Sequence, residues 1–220
     1  MQLIAVLRKE VLIQWRTRAG AAAVLVFGAT TLLLFSFAVG PSAESLEKNA
    51  AGFLWLALLL SSTLALSESF QSEWEQRGLE GLLLLPVSAH AIFFAKAIAN
   101  WLMLFLLGVF LLPVMVVLYN ATPSRPIEMT GIILLGSAGL SAPGTLYAAM
   151  AAASRARQSL LPLLLFPLVV PVLLASVKAT SLLMHGDPMG QLRSWTILLL
   201  AFDAIYWSLC GLLFRRVVDE

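Results

Sequence analysis

The chain has 220 residues, of which 60% are apolar and 12% charged, with a mean hydropathy of +0.92, a composition that excludes an ordinary soluble domain and points to the bilayer as solvent. A single cysteine, Cys210, excludes an internal disulfide and any multi-cysteine zinc or iron-sulfur centre, and two histidines leave little for a histidine-built metal cage. The formal charge of +2, with 14 Lys and Arg residues in no long run, gives no footing for nucleic acid.

At the amino terminus, Leu3, Ile4, Leu7, Val11 and Trp15 fall on one arc at helical spacing with Gln2, Lys9 and Arg16 opposite, although Gln14 and Arg18 intrude. Residues 1–18 are therefore expected to lie along the membrane as an interfacial helix, the alternative being a helical extension of the first span. The apolar stretch within residues 1–40 runs about 20 residues, longer than the ~7 to 15 of a secretory signal, so it reads as a span.

Crossing the hydrocarbon core takes ~20 mostly apolar residues. Uncharged windows of that order occupy 19–43, 49–67, 97–124, 129–154 and 158–177, and a sixth, 194–214, is interrupted by Asp203. The further uncharged window 81–95 is too short to span unless it extends through Lys96, and it reads better as interfacial. Six spans leave Lys48, Arg125, Lys178 and Arg193 on one side and the other ten Lys and Arg residues on the opposite side, which favours both termini in the cytoplasm. Short connections and the absence of a soluble insert predict one membrane domain over 1–220. No internal repeat stands out, which weakens an inverted-repeat secondary transporter without excluding it.

The connection from the second to the third span, residues 71–90, reads QSEWEQRGLEGLLLLPVSAH. Glu73, Glu75, Arg77 and Glu80 belong in water, whereas Leu82 to Leu85 form an apolar block that exposure would penalise by ~1.5 to 3 kcal/mol per side chain. Pro86 lacks an amide donor and ends a short helix there, and Ser88 is placed to cap the next one. The result is a helix-turn-helix elbow able to sit in a groove of a soluble motor and tilt the attached spans, the plain alternative being a loop whose leucines rest on lipid. His90, beside it, has a solvated histidine as its default.

In the fourth span, Gly131, Gly136 and Gly139 with Ala138 offer a face for close helix packing, including against a second copy of the chain. The fifth span holds Pro162, Pro167 and Pro171, each removing one backbone hydrogen bond, which predicts a kink or a broken helix that serves as a gating hinge or as a static bend. His185 and Asp187, beside Met184 and Met189, lie in the outer connection, where a lone histidine is far more often solvated than ligating. Asp203, near the middle of the sixth span, costs roughly 2.5 to 3.5 kcal/mol on insertion scales and must face protein or water, as a polar station or gate or as a carboxyl satisfied by a neighbouring span. The six tryptophans, Trp15, Trp55, Trp74, Trp101, Trp195 and Trp207, are scattered and read mostly as interfacial anchors.

The sequence lacks a GxxxxGK[ST] phosphate cradle, so it cannot itself run P-loop ATP chemistry. Paired carboxylates, a His-plus-Cys pair and metal-ligand spacing are missing from the spans, which argues against an integral-membrane enzyme. An ion-coupled transporter would need Asp203 or Glu68 to bind the coupling ion.

Gly78-Leu79-Glu80, followed by Leu82 to Leu85 and Pro86, resembles the GxLExLLxxP type of segment in type-2 ABC permeases. More narrowly, the chain is similar to the CcmB family of haem exporters in cytochrome c maturation. Trp55 to Leu66 (WLALLLSSTLAL) is similar to that family's second span, Gly78 to Pro86 to its coupling segment, Ser141-Ala142-Pro143-Gly144 to its Ala-Pro-Gly step, and Phe166 to Leu174 (FPLVVPVLL) to its double-proline fifth span. Ser67-Glu68-Ser69-Phe70 departs from the pattern, which has an acidic then a basic residue before the phenylalanine. The sixth span carries no family signature.

The resemblance implies an all-α permease in the bacterial inner membrane: six transmembrane helices, an amino-terminal interfacial helix, and a cytoplasmic coupling helix between spans two and three. It implies coupling to a separate ATPase through Glu73, Glu75, Gly78, Leu79, Glu80, Leu83, Leu84 and Pro86. Pro143, Pro167, Pro171 and Asp203 are the candidate span or gate positions, and Asp203 takes no role from the resemblance. It further implies the ATPase CcmA, the membrane partners CcmC and CcmD and the haem chaperone CcmE as company, ATP on the partner, haem as cargo, and no cofactor or metal held by this chain. Another type-2 exporter, of lipid or polysaccharide, is the nearest alternative.

Overall fold

Six long helices dominate the computed structural model, which describes residues 6–10, 18–40, 42–75, 88–153 and 157–219. They are α1 (Arg18–Val39), α2 (Ala43–Glu75), α3 (Ala89–Tyr119), α4 (Pro126–Ala153), α5 (Arg157–His185) and α6 (Leu192–Asp219). Each is long and apolar enough to cross a membrane. Residues 6–10 are helical as well, and no strand occurs among the described residues. The proximal end of the bundle is taken here as the end where α1, α3 and α5 begin.

The arrangement follows from which helices carry small side chains. Between helices already in lipid, apolar burial supplies little net drive, so close van der Waals approach and interhelical hydrogen bonds decide the packing. α4 is rich in Gly, Ala and Ser and becomes the centre: 78% of its most apolar stretch is buried, against 22% for α1 at the edge. α4 packs on α2, α3, α5 and α6, whereas α1 packs on α2 and α3. A Cβ at Gly136 would run into the Trp55 ring and the Ser176 hydroxyl, and one at Gly139 would stand 2.9 Å from Val172 and 3.0 Å from Asp203 Oδ1. Gly136 and Gly139 therefore serve close packing against α2, α5 and α6 of the same chain, whereas a Cβ at Gly131 would meet nothing within 4 Å.

Helix ends are set locally. Ser88 caps α3 with extended backbone (φ −68°, ψ 141°), and its hydroxyl accepts from the Ala91 amide at 3.3 Å. Asn120 closes α3 in the left-handed region (φ 52°). Pro126 opens α4, where a missing amide costs nothing.

Three sequence expectations change. α3 begins at Ala89, so residues 89–95 of the supposedly interfacial window 81–95 belong to a span. α5 is one uninterrupted helix through Pro162, Pro167 and Pro171, so the broken-helix alternative is not realised. The indole of Trp55 is 1% exposed and donates to Thr180 Oγ1 at 2.9 Å; those of Trp101 and Trp207 donate to the carbonyls of Leu134 and Ala138 at 2.9 and 3.2 Å. Trp55 is therefore a tie inside the bundle and not an interfacial anchor, and Trp101 and Trp207 tie α3 and α6 to α4.

Candidate functional site

α2 continues beyond its apolar window to Glu75, so Glu73 and Glu75 stand on its last turn, and the backbone becomes helical again at Ala89 behind the Ser88 cap. The side chains of Glu73 and Glu75, and Gly78, Leu79, Glu80, Leu83, Leu84 and Pro86 entirely, lie outside the described residues. What the structure describes at this proximal end is the base of α3 and its neighbours.

The first three turns of α3 carry four polar ties. His90 Nδ1 meets the Gly211 carbonyl at 2.8 Å; a carbonyl can only accept, so this nitrogen carries the proton, and His90 links α3 to α6 instead of standing in solvent. Lys96 Nζ donates to Glu10 Oε2 at 3.1 Å, joining α3 to the amino-terminal segment. The Ala97 carbonyl accepts from Ser141 Oγ at 2.6 Å, and Asn100 Nδ2 donates to Thr145 Oγ1 at 3.0 Å, both joining α3 to α4. An apolar cluster of Ile92, Phe93, Ala97, Leu146, Cys210 and Phe214 fills the space between them.

The Glu10–Lys96 pair dominates energetically. Its side chains are 4% and 1% exposed, so neither charge can turn to water, and breaking a buried pair of this kind by removing one member costs about 3–5 kcal/mol. Lys9 Nζ also approaches Glu10 Oε1 at 3.6 Å but is 40% exposed, so that contact adds little. Sequence reading missed this pair: Lys96 looked like a surface charge that cut an apolar window, and Glu10 went unremarked. The available signal was a lysine seven residues into an otherwise apolar helix, which demands an acidic partner at membrane depth. Val6 is 7% exposed and shares a face with Glu10, so the segment's protein-facing side is Val6/Glu10, beside the expected Leu3/Leu7/Val11 arc.

Among the span positions, Pro143 is buried in α4 and removes the helical donor to the Gly139 carbonyl. Pro167 and Pro171 are exposed on the outer face of α5. Asp203 is half-buried against Gly139, and its Oδ1, like Ser61 Oγ and Ser176 Oγ, is buried with no hydrogen-bond partner among the described residues. Glu68, where the sequence departs from the family pattern, lies against Gly20 of α1.

At the distal end, Asp187 caps α6, accepting from the amides of Gln191 and Leu192 at 2.8 Å each. The Leu192 amide foremost, then those of Gln191, Gly190 and Met189, hold its carboxyl below the ordinary 3.8. His185 Nδ1 bonds the Ser181 carbonyl of its own helix at 3.0 Å. An open cleft of ≈440 Å³ lies between the start of α2 and the end of α5, lined by Glu44, Glu47, Lys48, Ser181 and His185. No group of three or more His, Cys, Asp and Glu side chains placed to hold a metal occurs among the described residues.

Against known proteins, the family model described as CcmB protein matches residues 1–214. The chain is similar to Heme exporter protein B of Pseudomonas aeruginosa, 32% identical over 190 residues, covering 86% of this chain and 85% of that protein. It is also similar to Heme exporter protein B of Rhodobacter capsulatus, 33% identical over 170 residues (77% and 78%), and to that of Paracoccus denitrificans, 32% identical over 190 residues (86% and 87%).

Proposed function

The chain belongs to the CcmB family, and from that premise we propose that it is the membrane permease subunit of an ATP-driven haem-export complex serving c-type cytochrome maturation. The observation that carries the reading is a family match spanning residues 1–214, which takes in all six spans and the Gly78-to-Pro86 segment. The chain has no phosphate cradle of its own, so ATP is hydrolysed on a separate subunit of the CcmA kind, with CcmC, CcmD and the chaperone CcmE as the membrane and periplasmic company. Both termini and the 76–87 connection face the cytoplasm of a bacterial inner membrane, following the excess of Lys and Arg on that side.

In this reading Glu73, Glu75 and Glu80 present acidic groups to the motor, Gly78 allows its close approach, and Leu79, Leu83, Leu84 and Pro86 hold the segment to the bundle. Binding of ATP shifts the segment, and α2 and α3, attached on either side, tilt with it. Purification of the tagged chain from membranes expressing the whole gene set tests this. A nucleotide-binding ATPase co-elutes with the unaltered chain and is lost on Gly78→Trp or Glu80→Lys; a chain that purifies alone, or that keeps the ATPase in both variants, refutes the coupling role.

A further inference from the structure

We propose that His90 and two partly exposed aromatic rings one turn beyond it, Phe94 and Trp207, form a station for haem where α3 meets α6, with His90 Nε2 as a ligand to the iron. The station deepens the haem-export reading above and rests on it. It places the cargo on this chain at the proximal end, the cytoplasmic side in that reading.

The histidine is held as a ligand is held. Nδ1 donates to the Gly211 carbonyl at 2.8 Å, which fixes the ring against α6 and leaves the lone pair of the neutral imidazole on Nε2. Metal-binding histidines are oriented in this way, with the second ring nitrogen donating to a carboxylate, a backbone carbonyl or water. Nε2 itself has no hydrogen-bond partner among the described residues, and it reaches the surface of this partly exposed residue.

The rings supply the rest of the surface. Phe94 follows His90 by one turn on the same face of α3, and Trp207 precedes Gly211 by one turn on α6. Their rings stack with centroids 6.3 Å apart and planes 17° from parallel, and Trp101 meets Trp207 edge-on at 6.4 Å. All three are partly exposed, so the aromatic edges border the outer face of the bundle. Gly211 permits the arrangement, because a Cβ there would stand 2.9 Å from the Phe94 ring. A porphyrin whose iron sits at His90 extends past one helical turn, about 5.4 Å, and so lies against these rings, which offer a flat apolar ligand van der Waals contact. His185 offers no such surface: its Nδ1 bonds the Ser181 carbonyl of its own helix, no aromatic residue lines its cleft, and Glu44 and Glu47 outnumber Lys48 there, which opposes the propionates of haem.

Titration of ferric haem into the full chain in lipid nanodiscs, with empty nanodiscs as the baseline, tests the station. The unaltered chain should shift the Soret band and give the electron paramagnetic resonance signature of an imidazole-ligated ferric iron. His90→Asn, whose side-chain amide keeps a donor for the Gly211 carbonyl, should lose that signature and bind about tenfold more weakly, and added imidazole should restore the spectrum. His185→Asn should bind as the unaltered chain does. No histidine signature in the unaltered chain, an unchanged signature in His90→Asn, or its loss in His185→Asn overturns the station. Because a variant can fail to accumulate, diethyl pyrocarbonate modification of the unaltered chain supplies a second readout. Haem should protect His90 while His185 reacts as before, and equal modification of His90 with and without haem overturns the station. Restoration of holocytochrome by the unaltered chain in a strain lacking its own relative, without a His90 signal in the titration, ends the station and leaves the haem-export reading standing. Failure of that restoration counts against the haem-export reading, and the titration still scores the station.

Discussion

The indole of Trp55 on α2 reaches across the bundle to Thr180 on α5, its Nε1 donating to Oγ1 at 2.9 Å with both residues buried. The two helices can approach so closely because Gly136 of α4 leaves the space that the ring occupies. One hydrogen bond of this kind in a membrane protein contributes about 0.6 kcal/mol on average, so fit around the ring, more than the bond itself, holds α2, α4 and α5 together.

A methyl group at Gly136 therefore has nowhere to go, since the ring and the Ser176 hydroxyl both stand in its place. Gly136→Ala should destabilise by about 1–3 kcal/mol and lower the Tm of the detergent-solubilised protein by about 5 °C. Gly52→Ala on α2 is the contrast, because a Cβ there meets nothing within 4 Å. Helix propensity favours it by about 0.5–1 kcal/mol, so its Tm should hold or rise. Equal effects at the two positions would show that packing on Trp55 does not govern the bundle.

How much of this was legible in the sequence depends on which force set each feature. Span number, the Ser88 cap and the absence of strand follow from apolar run length and local hydrogen bonding, and they emerge from the sequence directly. Span boundaries do not, because a charge-free window treats Lys96 and Lys178 as walls. Lys96 is neutralised by a residue 86 positions away, and Lys178 is exposed near the distal end of α5, where a long stem carries its charge toward the interface. Trp55 illustrates the same limit: a tryptophan near an apolar run has the composition of an interfacial anchor, and only the gap at Gly136 and the hydroxyl of Thr180 turn it inward. For the Gly78-to-Pro86 segment, sequence resemblance to a family supplied the expectation, and the segment itself lies outside the described residues.

Asp203 distinguishes an ATP-driven permease from an ion-coupled transporter. Its Oδ1 is buried beside Gly139 without a hydrogen-bond partner among the described residues. A carboxyl that serves only to fill space is replaceable by its amide, so Asp203→Asn should keep membrane assembly and holocytochrome formation near the unaltered level. Asp203→Leu, which also removes an insertion penalty of about 2.5–3.5 kcal/mol, should insert at least as well. Assembly without transport in Asp203→Asn would assign the carboxyl a gating or ion-binding role.

Asp187 gives the distal end a defined response to pH. Its folded pKa is depressed by the amides it accepts from, so the stabilisation it confers is present in full above the ordinary 3.8 and is lost as pH falls through the lower, folded value. Amide exchange at Gln191 and Leu192 should therefore be slow and flat from neutral pH down to mild acid, once corrected for intrinsic exchange, and should quicken only below the ordinary carboxylate range. Asp187→Asn keeps a cap and removes this dependence, whereas Asp187→Ala frays the start of α6 at every pH. Protection that declines in step with histidine titration would place the responsible group elsewhere.

The single native cysteine makes orientation measurable without first removing a background. Cys210 is 2% exposed, so a membrane-impermeant maleimide should leave the unaltered chain unlabelled in intact cells and in permeabilised ones. Met189, 79% exposed in the connection between α5 and α6, and Ser88, exposed at the start of α3, lie at opposite ends of the bundle and supply one reporter for each face. Positive charge is retained on the cytoplasmic side during insertion, and the proximal end carries the excess of Lys and Arg. Met189→Cys should accordingly label in intact spheroplasts, and Ser88→Cys only after the membrane is opened. Inside-out vesicles should reverse the pattern, since the same two thiols then exchange compartments. Labelling of Ser88→Cys from outside would put the Gly78-to-Pro86 segment where no cytoplasmic ATPase can reach it, and the coupling role would have to be abandoned along with the orientation.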